Sequence, residues 1–254
     1  MSNIMFTQNQ FQSFMSLIQV LKESVTDISV VEGKIFQEND KKNIIYDIDL
    51  SEIFGDNTVY LDSIPIKGNI LDIFRRQNSK MILNITDNKY IWHDDKSSVN
   101  FAKPSVQYLT SKPLSKNSTR ALNATHISDD IIFDLTFEQD ILERFNAARR
   151  SLESKEIVIA INESVANFTM FYQGINSTIS NTIFTASDND IFNDSYKGLM
   201  RLPIDPFLIP SDTINVLLGV NKSDKTKFTL KIESTLNDIN IISWCTTLFK
   251  TKSE

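Results

Sequence analysis

IIFDLTFEQDILERFNAARRSLESKEIVIA, residues 131 to 160, changes its hydrophobic period twice. Ile131 to Leu135 is a short β-branched and aromatic run that reads as a strand. Thr136 then stands where a helix N-cap belongs, with Glu138 and Asp140 in the first turn beside the positive end of the helix dipole. Ile141, Phe145, Ala148 and Leu152 follow at steps of four, three and four, which puts them on one helical face. Arg149, Arg150 and Lys155 gather at the far end. Glu156 to Ile161 returns to a β-branched strand. Phe168 to Tyr172 and Ser177 to Thr185 continue as two more strands, separated at Gln173-Gly174.

Outward from this stretch, the same order recurs. Tyr196 to Leu202 is strand-like, and Pro203 to Pro210 holds only a short helix, because Pro206 suits a first turn and Pro210 stops it. Thr213 to Val220, Lys225 to Glu233 and Asp238 to Thr247 are three further strands, with turns at Asn221 to Asp224 and at Asn237-Asp238. Phe228, Leu230 and Ile232 alternate with Lys227, Thr229 and Lys231, as a half-buried strand requires.

The first half reads alike. A short strand at Ile4 to Thr7 precedes a helical stripe of Phe11, Phe14, Ile18 and Leu21. Strands follow at Ile28 to Val31, Lys34 to Gln37 and Asn43 to Leu50, the first two joined at Glu32-Gly33. Thr58 to Leu61 is the next strand. Pro65 opens a helix with Ile66, Ile70 and Phe74 inward, and Lys80 to Thr86, Lys89 to His93 and Val99 to Phe101 complete the set. The chain is therefore four copies of one strand–helix–three-strand unit. It divides into an N-terminal domain of residues 1–101, a connector of 102–128 with two Pro and no acidic residue, and a C-terminal domain of 129–254.

This doubled plan resembles the DNA sliding clamps, the polymerase processivity factors related to proliferating cell nuclear antigen, in their two-domain tailed-bacteriophage form. The resemblance rests on element order over about Ile4 to Leu248, since the family has no short signature. It implies an α+β clamp fold, each domain two βαβββ units with helices on one face of antiparallel sheets. It further implies a homotrimeric ring that encircles duplex DNA without sequence specificity, tethers a DNA polymerase, needs a clamp loader, and has neither catalytic residues nor a cofactor.

Charge distribution agrees with a positive bore. The chain of 254 residues has net charge −6, whereas a simple nucleic-acid binder is usually basic. The four helical segments (8–24, 65–80, 137–155 and 197–210) nevertheless carry eleven basic against seven acidic residues, and 96–128 adds five basic and none acidic. The candidate DNA-facing residues are Lys22, Lys67, Arg75, Arg76, Lys80, Arg144, Arg149, Arg150, Lys197 and Arg201. The resemblance also implies a hydrophobic client pocket near the connector, for which the candidates are Val106, Tyr108, Leu109 and Leu114 with Leu217, Trp244 and Phe249. Basic residues at helix C-termini also complement the helix dipole, and Leu217 and Trp244 also suit a strand core.

Other chemistry finds little support. Cys245 is alone, which excludes an internal disulfide and a thiolate-rich metal site and suits a reducing cytoplasm, the host's if the protein is viral. No apolar run reaches membrane-spanning length, and residues 1–7 lack the features of a signal peptide. Asp188-Asn189-Asp190 with Asp194 begins like a calcium loop but lacks its sixth-position Gly and twelfth-position Glu. Asp94-Asp95 beside His93 reads as a hairpin turn. No phosphate-binding or nucleophile-elbow glycine motif occurs. A β-rich structural subunit of a virus particle is the alternative reading, and it needs no basic helices.

Overall fold

The computed structural model describes residues 2–55, 59–66, 80–103, 113–162, 165–173, 178–187, 190 and 198–248. The chain divides into two compact units, one of Met1–Lys42, Tyr46–Ser115 and Leu236–Ile241, the other of Asn43–Ile45, Lys116–Thr235 and Ile242–Glu254.

In chain order the first half runs β1 (Ser2–Phe6), α1 (Gln8–Leu21), β2 (Asp27–Val30), β3 (Lys34–Glu38), β4 (Ile45–Asp49), α2 (Ser51–Phe54), β5 (Leu61–Pro65), β6 (Met81–Ile85), β7 (Lys89–His93) and β8 (Ser98–Ala102). The second half runs α3 (Thr119–Thr125), β9 (Ile127–Glu138), α4 (Gln139–Leu152), β10 (Glu156–Asn162), β11 (Val165–Gln173), β12 (Thr178–Ala186), β13 (Gly198–Pro203), a 3-10 turn at Asp205–Leu208, β14 (Thr213–Asn221), β15 (Lys227–Leu236) and β16 (Ile239–Leu248). The class is α+β, and the strand pairs with a described register are antiparallel.

Within each half the pairing interlocks the strand–helix–three-strand repeats. β1 does not pair with the strands that follow it but with β6, giving the order β1-β6-β7-β8, while β5 reaches back to β2. The second half repeats this: β9 pairs with β14 beside β15 and β16, and β13 reaches back to β10 in the order β12-β11-β10-β13. β1, β9 and β13 thus each complete the sheet of a neighbouring repeat, while β5 pairs with β2 in a two-stranded sheet, so the repeats are joined in pairs.

α1 begins because Thr7 and Gln10 form a capping box: the Gln10 N–H donates to Thr7 Oγ1 at 3.3 Å, and the Thr7 N–H donates to Gln10 Oε1 at 2.9 Å. Its buried face is Phe11, Phe14, Met15, Leu17, Ile18 and Leu21. That face meets Phe6, Phe54 and Trp92, with Phe6 and Phe14 stacked on Trp92 at centroid distances of 5.6 and 5.7 Å. In the second half Phe137, Phe145, Phe168, Phe184 and Phe207 form the matching cluster, tightest between Phe137 and Phe184 at 4.9 Å. Emptying either cluster costs about 3–5 kcal/mol per ring removed.

β2 has an unusual neighbour. Along β5 its register slips between Ile28 and Val30, leaving Ser29 outside the ladder with its hydroxyl donating to the Asp62 carbonyl. On its other side the Gln37 side chain accepts from the Ser29 N–H at 2.8 Å and donates to the Asp27 carbonyl at 2.8 Å. A side-chain amide therefore supplies the donor and acceptor that a paired strand would offer.

β9 is longer than the sequence indicates. It takes in Thr136, whose hydroxyl donates to Asn215 Oδ1 on β14 at 3.0 Å, so Thr136 is a cross-strand residue and not the N-cap. Glu138 holds the cap position of α4 without a side-chain cap. Leu142, not Ile141, is the fourth buried residue of α4. Pro65 ends β5 opposite Asp27 instead of opening a helix, and the strand expected at Thr58 to Leu61 lies at Leu61–Pro65. The remainder of the helix expected over 65–80 (residues 67–79) and the turn at Gly174 lie outside the described residues. α2 and α3 have no counterpart in the sequence reading. Gly219 permits the close approach of β9 at its irregular end: a Cβ there would stand 2.4 Å from Ile127 Cγ2 and 3.1 Å from the Asp130 carbonyl.

Candidate nucleic-acid and partner surfaces

α4 carries the largest basic group among the described helices. Arg144, Arg149 and Arg150 are exposed; by helical spacing Arg150 stands opposite the buried Phe145, Ala148 and Leu152, and Arg144 and Arg149 flank that stripe on either side. Arg144 donates to Asp140 Oδ2 one turn earlier at 3.4 Å, a pair exposed enough to add only a few tenths of a kcal/mol. Arg149 and Arg150 occupy the last turn, where the helix dipole favours them. The helix stops at Glu153, in the left-handed conformation at φ 49°.

The other candidates scatter. Lys22 is the half-buried C-cap of α1, and Lys80 is exposed just before β6. Arg201 lies on β13 between buried Met200 and Leu202, with Nη1 3.8 Å from Glu156 Oε2. Met200 stands opposite Ile159, which stands opposite Phe168 of the aromatic cluster beneath α4. Arg201 therefore points from the sheet face that α4 does not cover. Lys67, Arg75, Arg76 and Lys197 lie outside the described residues, as do Val106, Tyr108, Leu109 and Phe249.

Three partner candidates are described. The Leu114 N–H donates to the Phe36 carbonyl at 2.8 Å, and Pro113 bridges Gln37, so this end of the expected connector lies along the edge of β3. Further on, the same stretch contains α3. There Asn221, fully buried, donates to the Asn123 carbonyl at 2.6 Å and to Thr229 Oγ1 at 2.8 Å, docking the helix on the β14–β15 end. Leu217 on β14 faces Lys231 on β15 in the ladder, and the Lys231 ammonium sits 5.6 Å from the Trp244 ring centre on β16. Lys231 also pairs with Glu233 at 2.6 Å. Leu217, Lys231 and Trp244 thus share one sheet face. Sequence reasoning missed Lys231, although its alternation with Leu230 and Ile232 already placed it on that face.

Groups suited to other chemistry are quiet. Asp94 Oδ1 accepts from the Lys96 and Ser97 N–H groups at 2.7 and 2.6 Å, a turn-forming role. His93 Nε2 is 3.0 Å from Asn84 Nδ2. No cluster of potential metal ligands occurs among the described residues, and Asp188, Asn189 and Asp194 are not among them. Burial, reinforced by the charge of Asp205, pushes the Cys245 thiol up to about 12, so it is a poor nucleophile. Among the described residues no helix is long and apolar enough to cross a membrane.

No protein-family model matches the sequence, and no curated protein is significantly similar to it. Solved structures are similar along the whole chain. The PCNA2–PCNA3 complex of Sulfolobus tokodaii matches with a TM-score of 0.58 at 12% identity, covering 97% of this chain and 99% of that one. Proliferating cellular nuclear antigen from Entamoeba histolytica matches at 0.59 and 12%, covering 97% and 98%. A. fulgidus PCNA, in a structure with the C-terminal region of FEN-1 bound, matches at 0.58 and 12%, covering 100% of both. The fold is that of the PCNA-like DNA clamps.

Proposed function

We propose that this chain is the subunit of a sliding clamp, a ring that surrounds duplex DNA and holds a DNA polymerase at the primer end. The observation that carries the reading is the end-to-end match of both halves to the clamp fold, in a chain whose α4 carries three exposed arginines. Attraction between cationic side chains and phosphates is long-ranged and indifferent to sequence, so it holds a duplex without stopping it. Tethering then acts by effective concentration: a polymerase bound to a ring it cannot leave rebinds the same primer end. The role is that of a scaffold and not an enzyme.

The ring we propose is a homotrimer of the tailed-bacteriophage kind, opened by a clamp loader in the cytoplasm of a host cell. Its domains are residues 1–101 and 129–254, with 102–128 as connector. Copies would join through sheet edges. β9 is fenced by Asp129, Asp130, Asp134 and Glu138, which discourages pairing, whereas β8 and β12 contain no charged residue and Ile179 on β12 is 53% exposed. Arg144, Arg149 and Arg150 lead the DNA-facing set, with Lys22 and Lys80 and, beyond the described residues, Lys67, Arg75, Arg76 and Lys197. Leu217 and Trp244, with Leu114, Val106, Tyr108, Leu109 and Phe249, are the proposed polymerase-docking residues.

Light scattering after size exclusion gives the assembly mass, and retention on nicked circular against linearised plasmid, after loading with the cognate loader, gives topology. A trimer that stays on circles and runs off linear DNA is the expected result. A strict monomer at micromolar concentration that leaves a polymerase from the same source unstimulated on long templates refutes the proposal.

A further inference from the structure

The described helices are unequal in charge. α1 has fourteen residues, none of them charged. The side opposite the buried Phe11, Phe14 and Ile18 runs Asn9, Gln12, Ser13, Ser16 and Gln19, a stripe of amides and hydroxyls of which Asn9 and Gln12 are exposed and the other three half-buried. The 3-10 turn of the fourth unit carries Asp205 and no basic residue, and buries Pro206 and Phe207. α4 carries three arginines, with Arg144 partly offset by Asp140 one turn away, whereas α3 carries the single Arg120.

We infer that DNA is held by two chemically different contacts in this ring: an ionic one at Arg149 and Arg150 of α4, and a neutral hydrogen-bonding one at the amide and hydroxyl stripe of α1. The inference rests on the clamp reading and refines it. The two contacts differ in a measurable way. An arginine that neutralises a phosphate releases a condensed counterion, so it steepens the dependence of binding on salt by about 0.9 in log–log slope for each contact made. Amides and hydroxyls also donate to phosphate oxygens, but release no ion. The α1 stripe therefore adds affinity that salt does not remove. A duplex passing α1 exchanges one weak neutral contact for another, which suits translation along the axis.

The test is the salt dependence of duplex binding by the purified full chain, followed by fluorescence anisotropy of a labelled duplex between about 50 and 200 mM NaCl. Arg149→Gln with Arg150→Gln is expected to lower the slope by up to about 1.8 for each subunit engaged, at unchanged assembly mass. Gln12→Ala with Ser16→Ala is expected to weaken binding severalfold at every salt concentration with no change of slope. Gln12→Lys with Ser16→Lys is expected to steepen it. A slope untouched by the arginine pair, or one altered by Gln12→Ala with Ser16→Ala, overturns the inference while leaving a DNA-binding clamp intact. A wild-type chain that neither assembles nor binds duplex at about 50 mM salt overturns the clamp reading itself, and the inference with it.

Discussion

Gln37→Met isolates what one side-chain amide contributes to the first domain. Gln37 is 1% exposed and Ser29 and Asp27 are 1% and 6% exposed, so the Ser29 N–H and Asp27 carbonyl have no water to turn to. Methionine keeps the length and volume, so no cavity opens and the change reads the hydrogen bonds alone. Each orphaned buried backbone group costs about 1–3 kcal/mol, and the two together about 2–6 kcal/mol. That is a large share of the stability of an ordinary domain. Gln37→Glu is informative beside it: the carboxylate still accepts from Ser29 but repels the Asp27 carbonyl, and it adds the burial of a charge. The assay is urea unfolding followed by tryptophan fluorescence in a Trp244→Phe background, which leaves Trp92, stacked in the first-domain cluster, as reporter. A loss of about 3 kcal/mol moves the midpoint down by roughly 2 M at the slopes usual for domains of this size. A shift worth less than about 0.5 kcal/mol refutes the reasoning, because it means that solvent or a rearranged chain replaces the amide at no cost.

Three further outcomes are expected. Gly219→Ala drives a methyl into Ile127 and toward the Asp130 carbonyl, and a loss of about 1–3 kcal/mol in denaturant unfolding follows; an unchanged midpoint means β9 yields at that point. Hydrogen bonds from Thr226 and the Lys227 ammonium hold Asp224 down at about 2, so its share of hairpin stability is present above the ordinary carboxylate range and fades as pH falls through about 2. Carboxyl NMR titration of Asp224 reads this directly, Thr226→Ala should raise the midpoint, and a wild-type midpoint near 4 contradicts it. Cys245 should resist a disulfide reagent at about pH 8 until denaturant is added; labelling within the mixing time shows that β16 opens readily.

Legibility followed the range of the forces involved. β7 begins and ends where the sequence places it, and β10, β11, β12, β14 and β16 differ by a few residues at most, because alternation and turn residues are local. The left-handed Asn237 and Asp238 and Glu32-Gly33 make the hairpin turns that their residue types announce. Thr136 misleads because its environment is set by Asn215, far along the chain. Pro65 suits a first helical turn and a strand end equally well, and only its neighbour Asp27 decides. α3 is short and weakly amphipathic, and its place depends on the buried Asn221. Among candidate sites, the exposed arginines of α4 follow from its apolar stripe, since what is not inward is outward. The separation of Arg201 from them is a matter of sheet face, invisible until β13 is seen against β10. The neutral surface of α1 was legible all along as an absence of charge between Gln8 and Leu21.

The exchange of first strands has a consequence for how the protein is made. When Phe6 leaves the ribosome, the strand it must join, beginning at Met81, does not yet exist; β9 waits in the same way for Thr213. Local hairpins such as β6–β7 can form at once, whereas closure of either domain must await its second unit, the slow and long-range step of folding. During that interval an unpaired, apolar edge is open to any neighbouring nascent chain. A translation product cut short between the units is therefore not half a domain but a sticky fragment. The cell gains a working subunit only by finishing the chain.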